Sequence, residues 1–234
     1  MSVRTFRSGT SLLETMIASA WVRRFAPLIP ADGSVLDVAC GSGRHTRLLA
    51  EMGYRIEAVD RDAASVAPLA VIPKVSTRVC DLEEGAWPYG AACFDGVIVT
   101  NYLHRPRFDA VLDLLRPGGV LIYETFMVGN ERLGKPSNPD FLLRPNELLD
   151  RVRERLTVIA FEQGRIERPK PALVQRVCAV AGDEFVAYQL ASCVPSPASA
   201  GAAPAHPCAR AICASLHIRT TGGSGAPGQD GGAA

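Results

Sequence analysis

The stretch Val35-Leu36-Asp37-Val38-Ala39-Cys40-Gly41-Ser42-Gly43-Arg44-His45 constrains the fold of this chain more than any other. It reads as a buried strand, a glycine-rich turn and the start of a helix. A second apolar run then ends in an acidic turn at Val59-Asp60-Arg61-Asp62. Glycines in such a turn let the backbone pass close beneath a ligand, where a Cβ would collide. The helix opening at Arg44 offers unpaired amide donors to an anionic group. Together these features describe a site for a nucleoside-bearing cofactor at the carboxyl edge of a parallel sheet.

The spacing of acidic residues indicates which cofactor. Gly41-Ser42-Gly43 is followed by Arg44, His45 and Thr46, so the third glycine of a dinucleotide fingerprint is missing. Asp37 stands four residues before Gly41, where a carboxylate suits an ammonium and would repel a pyrophosphate. Asp60, 19 residues after Gly41, can accept from two ribose hydroxyls, and Asp81, within Cys80-Asp81-Leu82, can accept from an adenine amine. Any one aspartate could simply cap a turn. Three at successive strand ends point to S-adenosylmethionine. The expected contact set is Asp37, Ala39, Cys40, Gly41, Ser42 and Gly43, then Asp60 with Arg61, and Cys80, Asp81 and Leu82. Cys40 fits as a small side chain in a tight turn; Arg44 and His45 nearby could lower its thiol pKa, but sulfonium chemistry needs no covalent intermediate.

Strand–helix alternation extends this unit into a parallel sheet with helices on both faces. Strands are expected at 35–39, 54–59, 75–79, 96–100, 120–124, 156–162 and 174–180, and helices at 44–52, 63–70, 108–115 and 145–154. Before them, Ser11-Leu12-Leu13-Glu14 fits a capping box. Leu13, Ile17, Trp21, Phe25 and Leu28 continue a helical stripe, with Trp21 read as a core anchor. Ala18-Ser19-Ala20 resembles a signal-cleavage site, but Glu14 interrupts the apolar run, so a cleaved leader is not expected. From Ala191 onward the chain is mostly Ala, Gly, Pro and Ser, too poor in apolar surface to offset its ordering entropy. The expected organisation is an N-terminal helical segment over 1–30, a cofactor domain over 31–185 and a disordered tail over 191–234, with at most a short helix near Cys208–Leu216.

Net charge is +1 and aromatic residues are 6% of the 234, which argues against nucleic acid and an anionic membrane as partners and favours a small-molecule substrate. No apolar run is long enough to cross a bilayer. Seven cysteines, with no C-x-x-C pair, fit neither a disulfide framework nor a metal site, and they point to a reduced, cytoplasmic compartment. Oligomeric state is not legible.

The runs VLDVACGSGRHTRLLAEMGYRIEAVDRD, CDLEEGAWPY, FDGVIVTNYLHRP and LLRPGGVLIYETF resemble the class I S-adenosylmethionine-dependent methyltransferases over residues 17–181. The family's acid-x-Gly-x-Gly-x-Gly signature falls on Asp37, Ala39, Gly41 and Gly43, with Ala39 replacing the first glycine. The resemblance implies a Rossmann-like, seven-stranded, mostly parallel sheet whose last strand enters antiparallel. HTRLLAEMGY and ETFMVGNERLGKPSNPDFLLRPNELL are similar to small bacterial methyltransferases of the tellurite-resistance type.

On this reading the methyl group points towards the loop after the fourth strand, Thr100-Asn101-Tyr102-Leu103-His104-Arg105. Asn101 is expected beside the cofactor, His104 as a base, and Tyr102 and Arg105 beside the reacting centre. Tyr123, Glu124 and Thr125 would floor the pocket, and Arg24 would close over the methionine end. Arg44, His45, Arg105, Arg144, Lys170 and Arg176 are candidate anion receptors, and the long connection 126–143 a lid. The expected reaction is methyl transfer to a small acceptor with a soft or anionic nucleophile, such as a thiol or a chalcogen oxyanion. A macromolecular acceptor (RNA or protein), a non-catalytic cofactor-binding module and, more distantly, an NAD module remain as alternatives.

Overall fold

The computed structural model describes residues 17–182. The capping box at Ser11–Glu14 and the 191–234 tail with its short helix lie outside the described residues. Seven strands form one sheet: β1 (Ser34–Val38), β2 (Arg55–Asp60), β3 (Val75–Val79), β4 (Phe94–Thr100), β5 (Leu115–Phe126), β6 (Thr157–Ile166) and β7 (Ala172–Val180). Their order is β3-β2-β1-β4-β5-β7-β6. β1 to β5 pair in parallel, and β7 inserts antiparallel between β5 and β6. The strand order therefore reverses between β1 and β4, and ligands of such sheets bind at the carboxyl ends beside that switch.

Among the described residues, five short α-helices cover the faces: α1 (Ala20–Phe25), α2 (Arg44–Glu51), α3 (Ala63–Val66), α4 (Phe108–Asp113) and α5 (Glu147–Arg153). Side chains of a strand alternate between faces. Leu36, Val38, Val97, Val99, Leu121, Tyr123, Val177 and Ala179 accordingly pack under α4 and α5. Val35, Ile98, Val120, Ile122, Cys178 and Val180 face Trp21, Val22 and Phe25 of α1 and Leu48 and Leu49 of α2. Trp21 is the anchor of this second layer. It is only 2% exposed, meets Phe25 edge to face at 4.5 Å and donates its indole N–H to the Val177 carbonyl at 3.2 Å.

All seven expected strands are present, but several helix limits differ. Residues 17–19 are not helical, so α1 starts at Ala20, where the Ser19 hydroxyl accepts from the Trp21 N–H. The stripe from Leu13 is thus not one continuous helix. Pro27 and Pro68 each fall in a 3-10 turn, Ala26–Leu28 after α1 and Ala67–Leu69 after α3, because proline lacks the N–H that an α-turn needs. β5 starts at Leu115, ahead of the expected 120, and takes in Gly118 at φ +78°, with a register shift against β4 between Phe94 and Gly96. The 126–143 connection is closed at its neck by a Met127–Leu143 bridge and by the bond from the Leu143 N–H to the Phe126 carbonyl.

Candidate active site

At the carboxyl end of β1, Asp37 faces the α2 side and is buried. Its Oδ2 accepts from the Thr46 hydroxyl at 2.6 Å, while Oδ1 is buried with no partner. Burial pushes the carboxyl up to about 6, against the Thr46 hydrogen bond and the nearby Arg44 charge. A buried acceptor with an open lone pair calls for a donor, and an ammonium group supplies one that also favours the ionised form.

Beyond Asp37 the backbone turns left-handed at Ala39 (φ +51°), Gly41 (φ +54°) and Gly43 (φ +77°). A Cβ at Gly43 would sit 2.4 Å from Leu69 Cδ2, so that glycine is needed for packing as well as conformation. A Cβ at Gly41 would meet nothing within 4 Å; the loop borders open space there. Asp60 fixes this loop. Its Oδ2 accepts from the Gly41 N–H at 2.8 Å and its Oδ1 from the Asp62 N–H at 2.9 Å, which leaves each oxygen a lone pair for a ribose hydroxyl. The Cys80 N–H donates to the Asp60 carbonyl, and Asp81 Oδ1 accepts from the Glu83 N–H at 2.9 Å. Leu82 is buried in the core, while Ser42 and Arg61 are exposed at the rim. A lowered thiol pKa at Cys40 does not hold: burial and the carboxylates of Asp37 and Asp60 push it up, so the group stays protonated.

His45 is buried on α2. Its Nε2 accepts from the Ser19 backbone N–H at 3.1 Å, so the ring proton sits on Nδ1 and is donated to Thr100 Oγ1 at 3.2 Å. Burial and neighbouring Arg44 lower its pKa to about 3. It is a neutral strut and not an anion receptor. The Ser19 hydroxyl donates to Glu124 Oε1 at 2.9 Å, and Arg176 Nη1 approaches Glu124 Oε2 at 3.4 Å. The start of α1, the helix α2 and the ends of β4, β5 and β7 are thereby tied together.

Next to this network lies a cavity of about 640 Å³. Ile17 to Ala20, Arg44, Asn101, Glu124, Phe126, Arg176 and the β6–β7 turn, including Arg168 and Lys170, line it. Four cations and one carboxylate therefore face it. Asn101 adopts φ +56° and donates its N–H to the Glu124 carbonyl at 2.9 Å. Of the six expected anion receptors, Arg44, Lys170 and Arg176 reach the cavity. Arg144 lies in a separate surface cleft with Pro145 and Arg151.

Tyr102, His104 and Arg105 are not among the cavity-lining residues. The Tyr102 hydroxyl is buried without a partner, and burial together with Glu83 and Asp81 pushes its pKa up. His104 Nδ1 lies 4.0 Å from Glu83 Oε2. Arg105 holds Glu147 through Nε at 2.7 Å and Nη2 at 2.9 Å, and its other donors bind the carbonyls of Asp140 and Leu142. Arg105 thus pins the 126–143 connection, which reaches the cavity only through Phe126. The walls are instead residues 17–20 and the β6–β7 turn. Arg24 leans over the Phe25 ring at 4.8 Å, 3.7 Å from Glu162, and does not line the cavity. Sequence reasoning missed Ser19, Thr46 and Arg168. Thr46, nine residues after Asp37 on the first turn of α2, was the most accessible of them.

Residues 35–119 match the family model described as a methyltransferase domain. The fold is shared with the 1,6-didemethyltoxoflavin-N1-methyltransferase of Burkholderia thailandensis, solved with S-adenosylhomocysteine, at a TM-score of 0.55 and 25% identity over 73% of this chain and 80% of that one. The chain carries a methyltransferase domain over residues 35–119. TehB from Haemophilus influenzae has the same fold, at a TM-score of 0.56 and 18% identity over 71% of this chain and 63% of that one. Among curated relatives, a tRNA U34 carboxymethyltransferase of Trichlorobacter lovleyi is 32% identical, over 48% of this chain and 38% of the relative. The chain spans about half the length, or less, of the curated relatives it matches. The residues of this methyltransferase domain fit S-adenosylmethionine: an orphaned buried carboxylate for its ammonium, a loop beneath it with glycine at 41 and 43, and a carboxylate at the end of β2 for its ribose.

Proposed function

We propose that this chain binds S-adenosylmethionine over the ends of β1 to β3 and transfers its methyl group to a small-molecule acceptor held in the adjoining cavity. The single observation that carries this reading is the junction of the two sites: Arg44 and Asn101 belong to the cofactor edge and also line the 640 Å³ cavity. A cavity of that size suits a small molecule. When bound, the sulfonium donor supplies an activated methyl group to a nucleophile in line with the breaking bond.

The chain's own residues supply position. Asp37 is assigned to the donor's ammonium, Asp60 to its ribose and Asp81 to its adenine amine. Holding two reactants in a reactive geometry contributes up to ~7–11 kcal/mol, so little further machinery is required. Four cations around the cavity support an acceptor that carries negative charge, and a thiolate or chalcogen oxyanion heads the classes to assay. Such a nucleophile has no proton to lose, whereas a protic acceptor would need a base, a role proposed for His104 although it lies outside the cavity lining. Tyr102 is assigned to the cofactor's adenine side, through its unpartnered hydroxyl near Asp81 and Glu83.

An RNA acceptor is the second reading, favoured by the tRNA-modifying relative. The test is calorimetry with S-adenosylmethionine and with NAD, followed by label transfer from the donor to a panel of thiols, oxyanions, small acids and RNA. Tight NAD binding without donor binding overturns the proposal. Donor binding with no transfer to any acceptor points to a non-catalytic module.

A further inference from the structure

The cations around the cavity are not equivalent. Arg176 is engaged by Glu124 at 3.4 Å and by Glu162 at 2.6 Å, and its guanidinium lies 4.7 Å from the Trp21 ring centroid. Arg44 opens the cofactor helix, close enough to Glu124 and Asp37 that both favour its charge, while burial opposes it. Arg168 and Lys170 differ from both. They sit in the β6–β7 turn and form no ion pair among the described residues, although Arg165 in the same hairpin pairs with Glu167.

Strand register gives the separation. Arg176 is paired with Glu124, and four residue steps along β7 lead from there to Ala172, past Val174 opposite Phe126. At ~3.4 Å per step this is ~14 Å, and Lys170 lies two residues beyond. The wall between is apolar: Phe126, Ile166, Ala172 and Val174. A bare oxyanion can occupy one end of such a cavity but cannot bridge it.

We infer that the acceptor is an elongated amphiphilic acid, with its anionic group held by Arg168 and Lys170 as a handle and its apolar body along β7, so that its nucleophile reaches Asn101 and Glu124 at the other end. This names the substrate class for the cavity and rests on the methyltransferase reading above. The charge contacts fix orientation, and the apolar strip sets the length that is accepted.

The experiment uses the full chain and three simple probes: octanoate, butyrate and octanamide. Each is titrated calorimetrically, with and without saturating S-adenosylhomocysteine. Octanoate should bind most tightly, with octanamide at least ~10-fold weaker for want of charge-assisted bonds. The double variant R168Q/K170Q should erase the preference for octanoate over octanamide while leaving S-adenosylhomocysteine affinity unchanged, which also shows that it folds. Equal Kd values for octanoate and octanamide, or for octanoate and butyrate, overturn the inference. Failure of S-adenosylhomocysteine to bind overturns the methyltransferase reading instead; the octanoate–octanamide comparison still reads the handle.

Discussion

The carboxylate of Asp37 meets the hydroxyl of Thr46 at 2.6 Å between β1 and α2, and its second oxygen is buried with nothing to accept from. Without a donor, one charged oxygen is held out of water at a cost to the fold. That cost is what an ammonium group would relieve.

Neutralising Asp37 should therefore separate stability from binding. In Asp37→Asn the desolvated charge is gone, and we expect unfolding at pH 7 to require about 1–3 kcal/mol more than in the parent. Affinity for S-adenosylmethionine should fall at least ~10-fold. Thermal melts and calorimetry on one preparation check both. A variant that loses stability and keeps donor affinity would remove Asp37 from the cofactor site.

The pH profile of stability follows from two opposed groups. Asp37 is raised from 3.8 to about 6, so its contribution is fully present below 3.8 and lost as pH rises through 6. His45 is lowered from 6.5 to about 3, so its contribution is present above 6.5 and lost as pH falls towards 3. Between about pH 4 and 6 the two slopes oppose, and these groups leave stability nearly flat. Asp37→Asn removes one of them, and stability should then decline on acidification by on the order of 1 kcal/mol per pH unit. Urea midpoints at half-unit steps test this; superimposable profiles for parent and variant would refute it.

Two left-handed positions of the cofactor loop should respond with opposite signs. Gly43→Ala places a Cβ against buried Leu69 at φ +77°, and we expect a loss of about 1–3 kcal/mol. Ala39→Gly relieves a strained residue at φ +51° and should be neutral or stabilising by up to ~1 kcal/mol. Denaturant titration reads both.

Removing the imidazole of His104 discriminates nucleophiles. With an anionic acceptor, His104→Ala should leave kcat within about twofold. With a protic one, kcat should drop ~10²–10⁴-fold, with the KM for the donor unchanged. Initial rates at saturating donor decide between them.

Arg105 holds Glu147, whose carboxyl, despite burial, is kept down at about 2 by that bond, the Arg144 N–H and Arg151. Arg105→Ala should cost about 1–2 kcal/mol after allowing for solvent screening of this partly exposed pair, and should leave donor affinity intact. A fall in kcat with unchanged stability would return Arg105 to the reacting centre.

Strand positions and the donor-side loop were legible because they depend on short-range signals: period-two apolar runs, glycines at turns, an acid at each strand tip. What was not legible depends on register between distant segments. Ser19 meets Glu124 and His45 across 105 and 26 residues, and no local pattern announces either contact. Arg168 reads as a surface charge, and Lys170 as one of six candidate cations, until β7 pairs with β5 and brings their turn to the cavity. The 126–143 connection read as a lid because it is long and rich in Gly, Asn and Pro. Its neck is closed by Met127 and Leu143, and of the whole connection only Phe126 lines the cavity.

The inverted direction of β7 has a consequence for how such a scaffold diversifies. Because that strand runs against its neighbours, the hairpin joining it to β6 emerges at the same rim as the donor loop, yet belongs to the opposite end of the sequence. Length or charge in this hairpin can change without disturbing the glycine bend. A new recognition end can therefore be fitted to an unchanged source of methyl groups.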